Sequence, residues 1–394
     1  MAQQDYVVLR STFPFQPKIL GAGQEFSQAN FDPGMESVAL ERHTLSEAER
    51  SDLERDPRTR SIAPTMPMQL IAPTDTQNVQ SSAGASWGVD AVRANASPFD
   101  GSGVTVAILD TGIDPTHSAF QGVTLKRKNF TTEEDDDEHG HGTHCAGIVF
   151  GQDVSGHRIG VARGIQKALI GKVLGQGGGT SGEIADAIQW AVTEGAHVIS
   201  MSLGIDFPGF VKRLTTSFGM GIEPATSMAL VGYRANINLF NTLAQTVRAQ
   251  GAFGQGTIIV AASGNESNRP QFQIAIAPPA AAVDILGVGA LQQGAQGLSV
   301  ASFSNAEVDV SAPGVDIVSA QASGGLVSMS GTSIAAPHVA GVAALWAEKV
   351  LDANGVVKSS ALTAQLVARA ENSPLAQGFR QEDVGTGIVQ APLV

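Results

Sequence analysis

A single cysteine, Cys145, stands in 394 residues, so no intramolecular disulfide can form and oxidising surroundings are not needed for stability. Basic residues are scarce as well: 24 Lys and Arg against 37 Asp and Glu leave a net charge of −13, which argues against non-specific nucleic-acid binding. Charged residues make up only 15% of the chain, against 43% apolar residues and 45 glycines. That balance excludes a coiled coil or a disordered chain and predicts a loop-rich α/β protein with a large core. No apolar run reads as long enough to span a bilayer, so no membrane partner is expected. Met1-Ala2-Gln3-Gln4-Asp5 lacks the charged-then-apolar pattern of a signal peptide. This predicts a cytoplasmic protein; the alternative is a secreted one whose signal is absent from this sequence. The length suggests about two to three domains of roughly 150 residues.

The residues that are present centre on 331–341, Gly-Thr-Ser-Ile-Ala-Ala-Pro-His-Val-Ala-Gly. Gly331 permits close approach of another backbone or a ligand. Thr332 and Ser333 are helix-starting residues, and the stretch from there to Trp346 is nearly all Ala, Val, Gly and Leu, which predicts a helix buried on every side. Pro337 belongs in its first turn. Ser333 then sits at a helix N-terminus, where backbone N–H groups and the helix dipole favour negative charge. A serine there can be a nucleophile whose oxyanion is stabilised in place. Alone, the same pattern reads as a plain N-cap; the decision rests on partners elsewhere in the chain.

Residues 6–10 read as a strand, 45–55 as a short charged helix, and 60–71 as an edge strand or extended tail broken by prolines. Residues 74–86 are polar and read as a linker. The expected organisation is a small α+β module over 1–75, a linker and processing region over 76–86, and a larger domain over 87–394. Residues 104–109 form a continuous apolar strand ending in Asp110-Thr-Gly-Ile-Asp114, and functional residues of doubly wound sheets gather at such carboxyl ends. Asp-Thr-Gly also marks aspartic proteases, whose chemistry needs a second carboxylate; no second copy occurs, leaving only a homodimer to supply it.

The acidic run 133–138 reads as a solvated flexible loop. It leads into His139-Gly-His141-Gly-Thr-His144-Cys145. Three histidines beside acids suit a metal, but the glutamate that accompanies helical zinc ligands at i and i+4 is missing. The other reading has Thr143 and His144 begin a helix that aims His141 into a cleft. Gly177, Gly178, Gly179 and Thr180 come after a strand and open a helix running to Val192; such a loop cradles phosphate or offers bare backbone to an extended peptide, and no Gly-Lys-[Ser/Thr] stands behind it. Ser202, Leu203 and Gly204 end the next buried strand. Residues 206–236 read as irregular and 238–250 as a helix. Asn265 ends the strand 257–262 either as a turn residue or with its amide N–H aimed into a cleft. Residues 285–291 and 308–310 read as the last core strands, and 360–370 as a surface helix.

The four motifs at Asp110, His141, Asn265 and Ser333, in that order, resemble the subtilisin-like serine proteases over roughly residues 85–394. His-Cys-Ala-Gly at 144–147 is similar to the proteinase K branch, and the first module resembles the family's inhibitory propeptide. The resemblance implies a mostly parallel sheet with helices on both faces and a self-processing, autoinhibited endopeptidase acting on proteins or peptides. Ser333 would be the nucleophile, His141 its general base, Asp110 the residue that orients His141, and Asn265 with the Ser333 N–H the oxyanion hole. Residues 177–180 and 202–204 would flank the substrate as strands. No cofactor would be needed for the chemistry.

Three positions depart from the family pattern. Ala119 stands where the family's tight calcium site uses an acid, which puts that site in doubt and leaves the metal unknown. Ile334 replaces the usual Met after the nucleophile. Residues 206–236 exceed the usual connection, close to where the side chain before the scissile bond enters. Two other classes remain at this point: a binding module with the same cleft held shut by residues 1–75, and a metal-dependent hydrolase using His139, His141 and His144.

Overall fold

The structure, a computed structural model, describes residues 3–12, 38–73, 75–78 and 84–394. Strand β1 (Gln4–Ser11) lies between β2 (Val38–Leu45) and β3 (Thr59–Pro64), antiparallel to both. The charged segment after β2 folds as helix α1 (Glu47–Arg55). It starts slightly later than expected because Ser46 and Glu49 form a reciprocal capping box that fixes its first turn. Residues 13–37 of this module and 79–83 of the expected linker lie outside the described residues. The rest of 60–71 continues into β4 (Pro67–Leu70). The expected linker is in part a strand, β5 (Asp75–Asn78).

The larger domain is built on an eight-stranded sheet. In chain order its strands are β6 (Thr105–Asp110), β7 (Thr124–Asn129), β8 (Lys167–Lys172), β10 (Val198–Met201), β12 (Ile258–Ala262), β13 (Ile285–Gly294), β14 (Gly297–Val300) and β15 (Val310–Pro313). Across the sheet they run β14-β13-β12-β10-β6-β8-β7, with β15 also on β13; every pairing is parallel except that of β14. Two two-residue strands, β9 (Gly179–Thr180) and β11 (Leu203–Gly204), stand off the sheet's carboxyl edge, and a hairpin of β16 (Ile317–Ala320) and β17 (Leu326–Ser330) stands beside it.

Alternation along the strands makes two cores. Val106 and Ile108 face one core with Ile148 of α2 (His141–Phe150) and Val339 of α6 (Thr332–Asn354). Ala107 and Leu109 face the other, with Ile184 of α3 (Ser181–Thr193) and Leu239 of α5 (Ile222–Phe253). Because both faces are covered, these strands read as unbroken apolar runs rather than alternating ones. The N-terminal module joins the second core through Val7, Leu9 and Met66.

Four expectations need correction. Residues 206–236 are helical: Asp206 caps α4 (Phe207–Ser217) by accepting from Gly209 N at 2.9 Å, and α5 then begins at Ile222, well before 238. Scattered glycines and prolines hid both helices. Helix α2 begins at His141, two residues earlier than Thr143. Pro337 lies inside α6 rather than in its first turn. Finally, α6 is by length and composition apolar enough to cross a membrane, contrary to the sequence reading; 78% of that window is buried in the protein, as befits a core helix. The surface helix expected over 360–370 is α7 (Ser359–Ala368).

Candidate active site

Asp110 ends β6, and His141 opens α2 above it. The Nδ1 of His141 donates to Asp110 Oδ1 at 2.8 Å, and the same oxygen accepts from Thr111 N at 2.8 Å. Both side chains are fully buried. Burial opposes a charge on His141, but the carboxylate of Asp110 outweighs it and holds the imidazole well above the ordinary histidine range. Burial raises the Cys145 thiol and keeps it neutral; its Sγ lies 3.6 Å from His141 Nδ1, so the attraction comes from Asp110.

One residue of the acidic run proves structural. Asp137 is 6% exposed, not solvated. Its Oδ1 accepts from Thr111 Oγ1 and Gly140 N, and its Oδ2 from Thr143 N and Oγ1, all at 2.7–2.8 Å. It thereby ties the Asp110 turn to the start of α2, a carboxylate at a helix N-terminus. Buried Lys172 holds the same run from β8, donating to Glu134 O at 2.5 Å and Asp136 O at 2.9 Å. Nothing in the run of acids distinguishes Asp137; only Thr143, in the first turn of the helix that follows, hints at a capping partner.

Ser333 is the second residue of α6, and its hydroxyl is buried with no hydrogen-bond partner among the described residues. Pro337 supplies no N–H to the Ser333 carbonyl. That oxygen accepts instead from Ser202 Oγ at 2.8 Å and Cys145 Sγ at 3.5 Å, which locks the helix start to the end of β10. Asn265 is oriented by Thr332: its Oδ1 accepts from Thr332 N and Oγ1, both at 2.8 Å, so its Nδ2 points the other way. At that end Nδ2 donates to the Ala72 carbonyl at 2.9 Å.

The chain's own β4 fills the cleft. It lies antiparallel between β9 and β11, with Met68 opposite Gly179, Pro67 opposite Thr180, Leu70 opposite Leu203 and Gln69 opposite Gly204. Ile71 N donates to Ser202 O at 3.3 Å. The Met68 carbonyl lies 2.5 Å from where a Cβ on Gly178 would stand, so a side chain there would block the strand; Gly177 is exposed, and a Cβ there would meet no described atom within 4 Å. Beyond Ala72 the chain continues as β5, antiparallel to β17. Ser333 Oγ, Asn265 Nδ2 and Pro73 Cα all lie within 4 Å of the Cβ position on Gly331, so the Ala72–Pro73 linkage passes over the serine.

The three histidines do not converge on a metal. His144 Nε2 donates to Ile317 O at 3.1 Å and Val327 O at 3.2 Å on the far side of α2, and His139 is exposed. Among the described residues, Asp110, His141 and Cys145 are a group whose ligand atoms lie within 4.8 Å of one another, but Asp110 and His141 are already bonded together. Ala119 is fully buried and offers no side-chain oxygen, so this position supplies no carboxylate ligand to calcium.

The model of the subtilase family matches residues 101–386. The thermophilic serine proteinase of Bacillus sp. (strain AK1) is 35% identical over 63% of this chain and 53% of its own length. For M-protease of Shouchella clausii the values are 34%, 67% and 60%, and for subtilisin DY of Bacillus licheniformis 33%, 66% and 83%. The chain thus spans little more than half the length of the first two relatives.

Proposed function

This chain belongs to the subtilase family, and on that premise we propose that it is a serine endopeptidase held as a precursor by its own N-terminal module. Ser333 Oγ attacks the substrate carbonyl carbon, and His141 Nε2 takes the hydroxyl proton. Asp110 keeps Nδ1 protonated and stabilises the imidazolium. The oxyanion is received by Asn265 Nδ2 and by the Ser333 N–H, a donor of the first helical turn that the helix itself leaves unused. His141 then returns the proton to the leaving nitrogen, and water releases the acyl group by the same steps. No cofactor enters the chemistry.

The observation that carries this reading is the hydrogen bond from Asn265 Nδ2 to the Ala72 carbonyl at 2.9 Å, with the chain running through the cleft on either side. A peptide strand laid between β9 and β11, with one carbonyl on a fixed amide beside a serine at a helix start, is the arrangement that acyl transfer requires. The same contact supports autoinhibition and self-processing at the Ala72–Pro73 linkage. Residues 1–72 are then the inhibitory part, and the mature enzyme begins at Pro73.

A fluorophosphonate probe on the full chain, with N-terminal sequencing of the incubated protein, tests the reading. Wild type should be labelled on Ser333 and develop a new N-terminus within 68–86. Ser333→Ala should do neither and retain at most on the order of 10³-fold catalysis over water. Near-wild-type turnover in Ser333→Ala would refute the assignment. Absence of labelling in wild type would favour a binding module.

A further inference from the structure

The helical stretch 206–236 has no part in the chemistry above, yet it carries a slot that a peptide occupies. Met66, six residues upstream of Ala72, is 2% exposed, and its Sδ sits 2.9 Å from where a Cβ on Gly232 of α5 would stand. Its backbone is held twice by Ser181, its N–H donating to Ser181 Oγ at 3.1 Å and its carbonyl accepting from Ser181 N at 2.9 Å. One turn along α5, fully buried Asn236 donates through Nδ2 to the Pro64 carbonyl and to the Gly232 carbonyl, both at 2.9 Å, while its Oδ1 is buried with no partner among the described residues. An unpaired buried amide oxygen is costly, and it seeks an N–H that Pro64, lacking one, cannot give.

Among the described residues, the outer half of α5 is also poorly covered by the module. A cleft of about 900 Å³ remains between this helix and β3, and Met228 and Val231 on it are 49% and 61% exposed. The surface holds the upstream segment closely at Met66 and leaves the remainder open. We propose that α5 extends the substrate groove upstream, and that its Gly232 and Asn236 form a distal subsite. This subsite takes an unbranched apolar side chain, such as Met, at the seventh residue before the bond cut, together with the backbone just ahead of it. The inference rests on the peptidase reading.

Fluorogenic peptides sharing the four residues before the bond test it with the full chain. One starts there, a second is extended upstream by the sequence of residues 63–68, and a third carries Asp in place of Met66 in that extension. The ratio of kcat/KM values is read, so the amount of opened enzyme cancels. The extended peptide should be cut about tenfold more efficiently than the short one, and the Asp peptide should lose the gain. Gly232→Leu, which fills the slot, and Asn236→Ala should each bring the ratio toward one. Equal rates for all three peptides in wild type would overturn the subsite while leaving the peptidase reading intact. A gain that survives both substitutions would overturn its placement on α5. Cleavage of none would overturn the peptidase reading and the subsite with it.

Discussion

Acidification should destabilise this protein through two buried histidines, and one substitution should halve the effect. His338, on α6, uses Nδ1 to donate to Ile334 O at 3.0 Å, and its Nε2 is buried without a partner among the described residues. Burial lowers its pKa to about 4. Burial, with the neighbouring His141 charge, lowers that of His144 to about 3. A depressed histidine is protonated in the unfolded chain before the folded one, so stability is lost as pH falls below about 6.5. At about pH 4.5 each histidine then costs about 2–3 kcal/mol relative to pH 7, or about 5 kcal/mol for the pair, a large share of typical domain stability. The assay is urea unfolding read by the fluorescence of the three tryptophans, in a Ser333→Ala background that prevents self-digestion. His338→Asn keeps a donor near Nδ1 and cannot titrate. It should lower stability at pH 7 yet reduce the pH-dependent loss by about 2–3 kcal/mol. His141 has a raised value and acts in the opposite sense, its contribution being lost as pH rises; it is common to both chains and cancels. An unchanged pH-dependent loss in His338→Asn would refute the reasoning.

The cleft leads to further expected outcomes. Pro73 makes the presented bond a tertiary amide whose ring crowds the nitrogen that His141 must protonate; Pro73→Ala should speed self-cleavage about tenfold or more, read by gel densitometry of the full chain, and no acceleration would place the cut elsewhere. Because His141 must be neutral to act as base and its pKa is raised, self-cleavage should increase with pH through a midpoint above about 6.5. Asp110→Asn should lower that midpoint along with the rate; a wild-type midpoint below about 6.5 would contradict it. With Ala119 in place of an acid, EDTA should shift the melting temperature by no more than about 2 °C, and a large drop would mean that other oxygens bind calcium.

Much of this was legible in the residues. Strand ends announce themselves: apolar runs closing on Asp110, Gly204 and Asn265 fix the sheet's carboxyl edge, and the four motifs sit where that order requires. Long-range partners were not legible. Asp137 is one acid among six until the Asp110 turn folds back on α2. Pro337 reads as a first-turn residue because the sequence does not reveal that Ser202 takes the Ser333 carbonyl it leaves free. The helices over 206–236 were hidden because Pro208, Gly209, Pro224 and Gly232 read as breakers, whereas the Asp206 cap and contacts with the N-terminal module override their low propensity; Gly219 and Gly221 do mark the break between the two helices. The strand character of β4 falls within the edge strand or tail expected over 60–71, whereas that of β5 is imposed by its pairing with β17 rather than by its own polar pattern.

The uninterrupted passage of the chain from β4 across Ala72 to β5 has a consequence for concentration. While the linkage is whole, the blocking segment and the cleft are parts of one molecule, at an effective concentration on the order of millimolar. On the precursor reading proposed above, inhibition would then be the same in a dilute or a crowded solution. Cutting one bond turns the block into a complex of two molecules, bound by residual contacts such as those of Val7, Met66 and Arg42 with α3 and α5. On that same reading, occupancy would from that moment obey mass action, and simple dilution would switch the enzyme on.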